Sequence, residues 1–185
     1  MRTFLKDELE RFLEAVDQAL AHPVEVIVIG GTAAALHYGV TRATHDIDTW
    51  TTVQDDLTAA AKRARVSTGL DVPMAQSGVA DAPFDFESRL ERVLPHLDRL
   101  RVLVPEKHDL VLMKAIRGYE HDFQAIAEIH AHSPLDVETL VRRFQDEMTP
   151  IGDPARIRGN VVALVERLFP DAAEDVARRL RKVQR

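Results

Sequence analysis

The chain reads as an α/β (α+β) protein, a small mixed β-sheet with helices packed on it and a helical extension at the C-terminal end. Three features predict this. Val24 to Ile29, VEVIVI, is a short run, β-branched and apolar apart from Glu25, that stops at Gly30-Gly31; this is the pattern of a buried strand. Thr3 to Ala21 spaces Phe4, Leu5, Leu9, Phe12, Leu13, Val16 and Leu20 as one face of an amphipathic helix. From Ser133 onward, helical segments follow one another.

Whole-chain properties narrow the classes. A chain of 185 residues suits one domain with a helical appendage. We expect a core over 1–132 and a helical region over 133–185. The absence of cysteine excludes disulfides and thiolate metal sites and fits a reducing cytoplasm. The charged start, MRTFLKDELERFLEAV, is unlike a signal peptide. No apolar run approaches a membrane span, so no membrane partner is expected. A net charge of -6 argues against a surface that coats nucleic acid. The C-terminal part is nonetheless rich in cations (Arg156, Arg158, Arg167, Arg178, Arg179, Arg181, Lys182, Arg185). These are either solvated or reach a polyanionic acceptor.

The stretch Val24–Trp50 organises the rest. Gly30-Gly31 lets the backbone turn and leaves no Cβ in the way of a ligand. Thr32 to Tyr38 is a short Ala-rich helix that Gly39 can end. The free N–H groups at its start, near Gly31 and Thr32, form an anion site. A loop carrying Arg42 leads into a second strand, His45 to Trp50. Alternate residues of a strand share a face, so Asp46 and Asp48 point one way and Ile47 the other. Two carboxylates about 5 Å apart repel by roughly 3 kcal/mol at an effective dielectric near 20, and by under about 1 kcal/mol when fully wetted. A divalent cation reverses the sign, and oxygen ligands suit Mg²⁺ or Mn²⁺. Strand, Gly-Gly, helix, loop and Asp-x-Asp strand in this order point to a nucleoside triphosphate handled with a metal ion.

The segment IGGTAAALHYGVTRATHDIDTW resembles the signature of the nucleotidyltransferase (polymerase-beta-like) superfamily, and its "TRATHDID" is most similar to the AbiEii-type toxin nucleotidyltransferases and related bacterial proteins. The resemblance implies a nucleotidyltransferase core that uses Mg²⁺ (or Mn²⁺) to move a nucleoside monophosphate from an NTP to a hydroxyl of an RNA (tRNA), protein or small-molecule acceptor. It also implies a toxin–antitoxin or phage-defence setting with an antitoxin partner. Asp46 and Asp48 would hold the metal, and Gly30, Gly31, Thr32 and Arg42 would line the phosphates. A third metal-binding carboxylate on a neighbouring strand falls to Asp85, with Glu87 or Asp81 as alternatives. A second, weaker match covers PEKHDLVLMKAIRGYEHDFQAIAEI. It assigns Lys114 and Asp122 to the nucleotide pocket, with His121 where Lys is usual. The other reading of Lys114 is a snorkelling surface lysine, and Arg117 is a further phosphate candidate. Two other functions compete: a catalytically inactive fold that binds nucleotide or a partner, and a DxD glycosyltransferase.

The remaining elements follow from local patterns. Asp55 and Asp56 open a helix over Leu57–Val66 that Gly69 closes, and Asp71–Ser77 is a short strand with Pro73 at its edge. The alternation in Phe84-Asp85-Phe86 reads as a strand with both Phe inward. Arg89–Val104 is either a hairpin turning at Asp98-Arg99 or begins with a helix over Ser88–Leu94 stopped by Pro95. Helices follow over 106–117, from about Glu120, and over 136–148. After a linker at 150–154 come helices over 155–169 and 171–183.

Overall fold

The computed structural model describes residues 2–78, 81–148 and 153–182. Of the expected linker only Asp153 and Pro154 fall among them; Val79, Val183 and Arg185 lie outside the described residues. The fold is α+β. The chain forms two compact units, Met1–Val79 with Leu90–Pro105, and Ala80–Arg89 with Glu106–Arg185.

The first unit holds the strands. β1 (Val24–Ile27) pairs in parallel with β5 (Leu100–Val104), and β4 (Glu91–Val93) pairs antiparallel with β5. The strand order is β1-β5-β4, and β2 (Ile47–Thr49) and β3 (Met74–Gln76) form a separate parallel pair. An antiparallel bridge between Val28 and Thr49 joins the two sheets. Three helices complete the unit: α1 (Lys6–Ala19), α2 (Gly30–His37) and α3 (Asp55–Thr68). The core face of α1 buries Leu9, Phe12, Leu13 and Val16, and α3 buries Leu57, Ala60 and Ala64. The carboxylate of Asp17 on α1 accepts the Arg99 and Leu100 N–H groups at 2.7 and 2.6 Å, which fixes the start of β5.

The second unit is helical: α4 (Lys107–Arg117), α5 (Glu120–His132), α6 (Val137–Glu147), α7 (Pro154–Leu168) and α8 (Ala173–Lys182). α4 is buried from His108 to Ile116 and packs on α5, α6 and α7. Charge is buried here too. Arg89 grips Asp109, which is fully buried, through two hydrogen bonds of 2.9 and 3.1 Å, and reaches Glu147 at 2.6 Å. Arg143 bonds Glu106 at 2.5 Å and Asp109 at 2.9 Å. His108 is buried and bridges two helix starts. Its Nδ1 meets Glu106, the N-cap of α4, and its Nε2 accepts the N–H of Asp136, the N-cap of α6. The proton of the ring therefore sits on Nδ1. Three of the C-terminal cations are ion-paired: Arg167 with Glu120, Arg178 with Asp175, and Arg179 with Glu138 and Asp175.

Several sequence expectations need correction. The hairpin is formed and the helix over Ser88–Leu94 is not; only a 3₁₀ turn, Phe86–Arg89, precedes β4. Phe84-Asp85-Phe86 is not a strand. Phe84 is 90% exposed and Phe86 only 3%, so the two do not share a face. Turn bonds win locally: the Pro83 carbonyl accepts the Phe86 N–H, and that of Asp85 accepts both the N–H and the hydroxyl of Ser88. Helix α1 starts three residues late, because Phe4 is extended and exchanges two backbone hydrogen bonds with Thr44. The strand expected over His45–Trp50 is only Ile47–Thr49. Its ladder begins with the Ile47 N–H on the Pro73 carbonyl.

Two predictions follow from the second unit. Gly118 has φ +69, and a Cβ there would lie 2.2 Å from Asn160 Nδ2, which donates to the Ile116 carbonyl at 3.1 Å. Gly69 has φ +71 with nothing within 4 Å. Denaturant unfolding of Gly69→Ala should show the left-handed strain alone, about 1–2 kcal/mol. Gly118→Ala should lose roughly 1 kcal/mol more with the Asn160 hydrogen bond. Equal losses would rule out the packing role. The second prediction concerns acid. Burial raises the Glu106 carboxyl, but hydrogen bonds from His108 and Arg143 and the Arg143 charge outweigh it and hold it below its ordinary value. A depressed carboxyl stabilises the fold fully above the unfolded value, and that contribution is lost as pH falls toward the folded one. Glu106→Gln should therefore flatten the decline of unfolding free energy as pH falls below the ordinary carboxylate value of about 4.5. An unchanged pH profile would contradict this.

Candidate functional site

The Gly-Gly turn and the acidic strand are built against each other in the first unit. The apolar run leaves β1 in extended backbone at Ile29, and Gly30 then turns with φ +70, a conformation that favours glycine. A Cβ on Gly30 would stand 3.0 Å from Oδ2 of Asp48 and 3.8 Å from its Cγ. The Asp48 carboxylate thus packs tightly against the bare face of Gly30, where a Cβ would force it to shift. Gly31 does the same for the preceding loop: a Cβ there would lie 3.0 Å from Thr44 Oγ1 and 3.3 Å from Thr44 Cβ.

Hydrogen bonds fix the backbone of both acids. The Asp48 carbonyl accepts the Ile29 N–H at 2.9 Å. The Asp46 carbonyl accepts the hydroxyls of Thr32 at 2.7 Å and Thr44 at 3.3 Å. Asp46 therefore lies just before β2, held by hydroxyls instead of a ladder bond. Ile47 between the acids is fully buried while Asp46 and Asp48 are half-buried, the alternation expected of extended chain. The Thr32 hydroxyl, on a buried side chain, is committed to Asp46. Its amide remains at the helix start with those of Gly30 and Gly31, ahead of the first helical bond, from Ala33 to Ile29. Arg42 is exposed in the loop before the acids.

These residues fit a hard divalent cation. The donors are two carboxylates with fixed backbones and partial access to solvent, and no soft ligand is among them. Among the described residues, no group of three or more His, Asp or Glu is placed to hold a metal ion. The sequence reading passed over Thr44 and the Thr32 hydroxyl. The signal was a threonine two residues before the first acid, in "TRATHDID".

The other assigned residues belong to the second unit. Lys114 is only 4% exposed and Asp122 is 0% exposed, so Lys114 is not a snorkelling surface lysine. The two meet, Nζ to Oδ1, at 3.7 Å. Arg117 shares that oxygen at 2.6 Å. Oδ2 of Asp122 is buried without a hydrogen-bond partner, and Nε2 of His121 stands 3.9 Å from it. Asp85 sits on its exposed turn, 3.6 Å from Arg89, with Glu87 exposed and Asp81 half-buried nearby in sequence. None of the three lies on a strand. Among the described residues, no helix is long and apolar enough to cross a membrane.

No curated protein and no solved structure matches the chain. One family model does, over residues 7–166, and it carries the description "Nucleotidyltransferase of unknown function (DUF6036)". That span takes in the Gly-Gly turn, both acids of the Asp-x-Asp and the Lys114–Asp122 pair, and the chain belongs to this family of nucleotidyltransferases.

Proposed function

We propose that the protein is a Mg²⁺-dependent nucleotidyltransferase that moves a nucleoside monophosphate from an NTP to a hydroxyl. The observation that carries the reading is the seating of Asp48 against Gly30, with the free amides of Gly30, Gly31 and Thr32 on the same turn. An anion-binding helix start and a cation-binding acid pair built on one another suit a metal-bound triphosphate. Asp46 and Asp48 would hold the ion, which supplies charge neutralisation on the phosphates when bound. The amides would receive phosphate oxygens, with Arg42 as a further cation. The acceptor oxygen attacks the α-phosphorus, the bond from that phosphorus to the bridging oxygen breaks, and pyrophosphate leaves. The hydroxyl proton passes to a carboxylate. Positioning and fixed charge would supply most of the rate. Lys114, Asp122 and Asp85 enter this proposal through the resemblance alone.

The finer affiliation extends the same proposal. The "TRATHDID" segment supports an AbiEii-like toxin acting in the cytoplasm on RNA (tRNA) or protein, with an antitoxin partner.

The test is calorimetric titration of each NTP with and without Mg²⁺, followed by turnover assays with labelled nucleotide. Asp46→Ala and Asp48→Ala should abolish metal-dependent binding and lower turnover by at least about 100-fold, a loss of several kcal/mol. Full activity in either variant would refute the mechanism. Binding without turnover across metals and acceptors would favour an inactive, nucleotide-binding module. Gly30→Ala separates site geometry from backbone strain. It and Gly69→Ala should each destabilise by about 1–2 kcal/mol, but only Gly30→Ala should weaken Mg²⁺-dependent NTP binding, by displacing Asp48. Equal binding in both would show that the close approach does not matter.

A further inference from the structure

The turn between α4 and α5 presents an aromatic pair to solvent. Tyr119 is 59% exposed, and its ring stacks on that of His121 with centroids 5.3 Å apart and planes 19° apart. The backbone beneath is fixed: the Tyr119 carbonyl accepts the N–H groups of Asp122 and Phe123 at 2.9 and 3.2 Å.

Cations gather at the same place. Arg117 is partly exposed while it bonds Asp122. Arg156, an exposed residue of α7, places Nη1 3.5 Å from the Ile116 carbonyl at the end of α4. Both acids at the start of α5 are ion-paired: Glu120 with Arg167 through two hydrogen bonds of 3.1 and 3.0 Å, and the buried Asp122 with Arg117 and Lys114. Stacked rings bordered by guanidinium groups suit an unpaired base with a phosphate on either side.

We propose that the Tyr119–His121 stack is a platform for an unpaired base of a single-stranded nucleic acid, with Arg117 and Arg156 meeting the neighbouring phosphates. One stacked base gives only about 5- to 100-fold in affinity, too little to hold a mononucleotide on an open surface. A strand adds phosphate contacts, and this favours a polynucleotide over a free NTP. The net charge of -6 keeps the contact local to this turn. The inference rests on the nucleotidyltransferase reading for its purpose, the holding of a polynucleotide acceptor, but the contact itself needs neither metal nor NTP.

The experiment is fluorescence anisotropy on the full chain, without metal or NTP, using labelled oligo-adenylate of about eight nucleotides as RNA, as DNA and as a duplex of equal length. Binding of a single strand, RNA or DNA, in preference to the duplex is expected. Tyr119→Ala should weaken it about 5- to 100-fold and Tyr119→Trp should preserve it. Arg156→Gln should lower the slope of log affinity against log salt by about 0.7. No single-strand binding by the wild type, equal binding by Tyr119→Ala, or a duplex bound as tightly as the single strand would each overturn the platform. Mg²⁺-dependent NTP binding, titrated on the same Tyr119→Ala sample, is expected to be unchanged. Its absence in the wild type would instead count against the nucleotidyltransferase reading.

Discussion

A missing side chain governs the first unit. The carboxylate of Asp48 lies so close to Gly30 that a Cβ there would press on it at 3.0 Å, and the left-handed backbone of Gly30 turns the chain from strand into helix at the same residue. Everything around it is consistent with keeping that contact. Ile29 and Trp50 donate backbone hydrogen bonds across the pair of segments, and Thr32 holds the carbonyl of the other acid. The N-terminal end of α2 and the two acids are therefore tied to one another by backbone and hydroxyl hydrogen bonds.

The second unit solves a different problem, the burial of charge. Asp109 and Asp122 are both fully buried, and each is met by more than one cation. Removing one member of such a set leaves a charge in a poor medium, which is why these clusters tolerate little change. His108 adds a constraint of its own. Bonded as a neutral ring to the N-caps of α4 and α6, it makes the two helix starts a single unit.

What the sequence made legible was local. Gly30-Gly31, the Ala-rich helix and Asp46-x-Asp48 announce themselves within a short stretch, and their chemistry depends on neighbours in that stretch. The resemblance assigned Lys114 and Asp122 to a nucleotide pocket; that the two form a buried ion pair with each other was not read from the sequence. The failures have physical causes. Phe84 and Phe86 imitate the period of a strand, but Pro83, Asp85 and Ser88 carry turn bonds that override it. The grip of Arg89 on Asp109 and Glu147 joins residues far apart in the chain, and no local pattern reports such a pairing. The committed hydroxyls of Thr32 and Thr44 were missed for a related reason: their role is to hold a carbonyl, which composition does not reveal.

The pairing of β1 bears on how the site comes into being. The turn at Gly30 and the acids after it are joined by a short loop, which closes quickly and at small entropic cost. β1 is paired along one edge by β5, with Val24 against Leu100, so the strand that feeds the turn waits for a segment made much later. A nascent chain can gather the parts of the acid site long before it can hold them still. Rigidity arrives with β5, whose Arg99 and Leu100 N–H groups are accepted by the Asp17 carboxylate already in place on α1. The element that sets the timing of the site is thus one that contributes no atom to its chemistry.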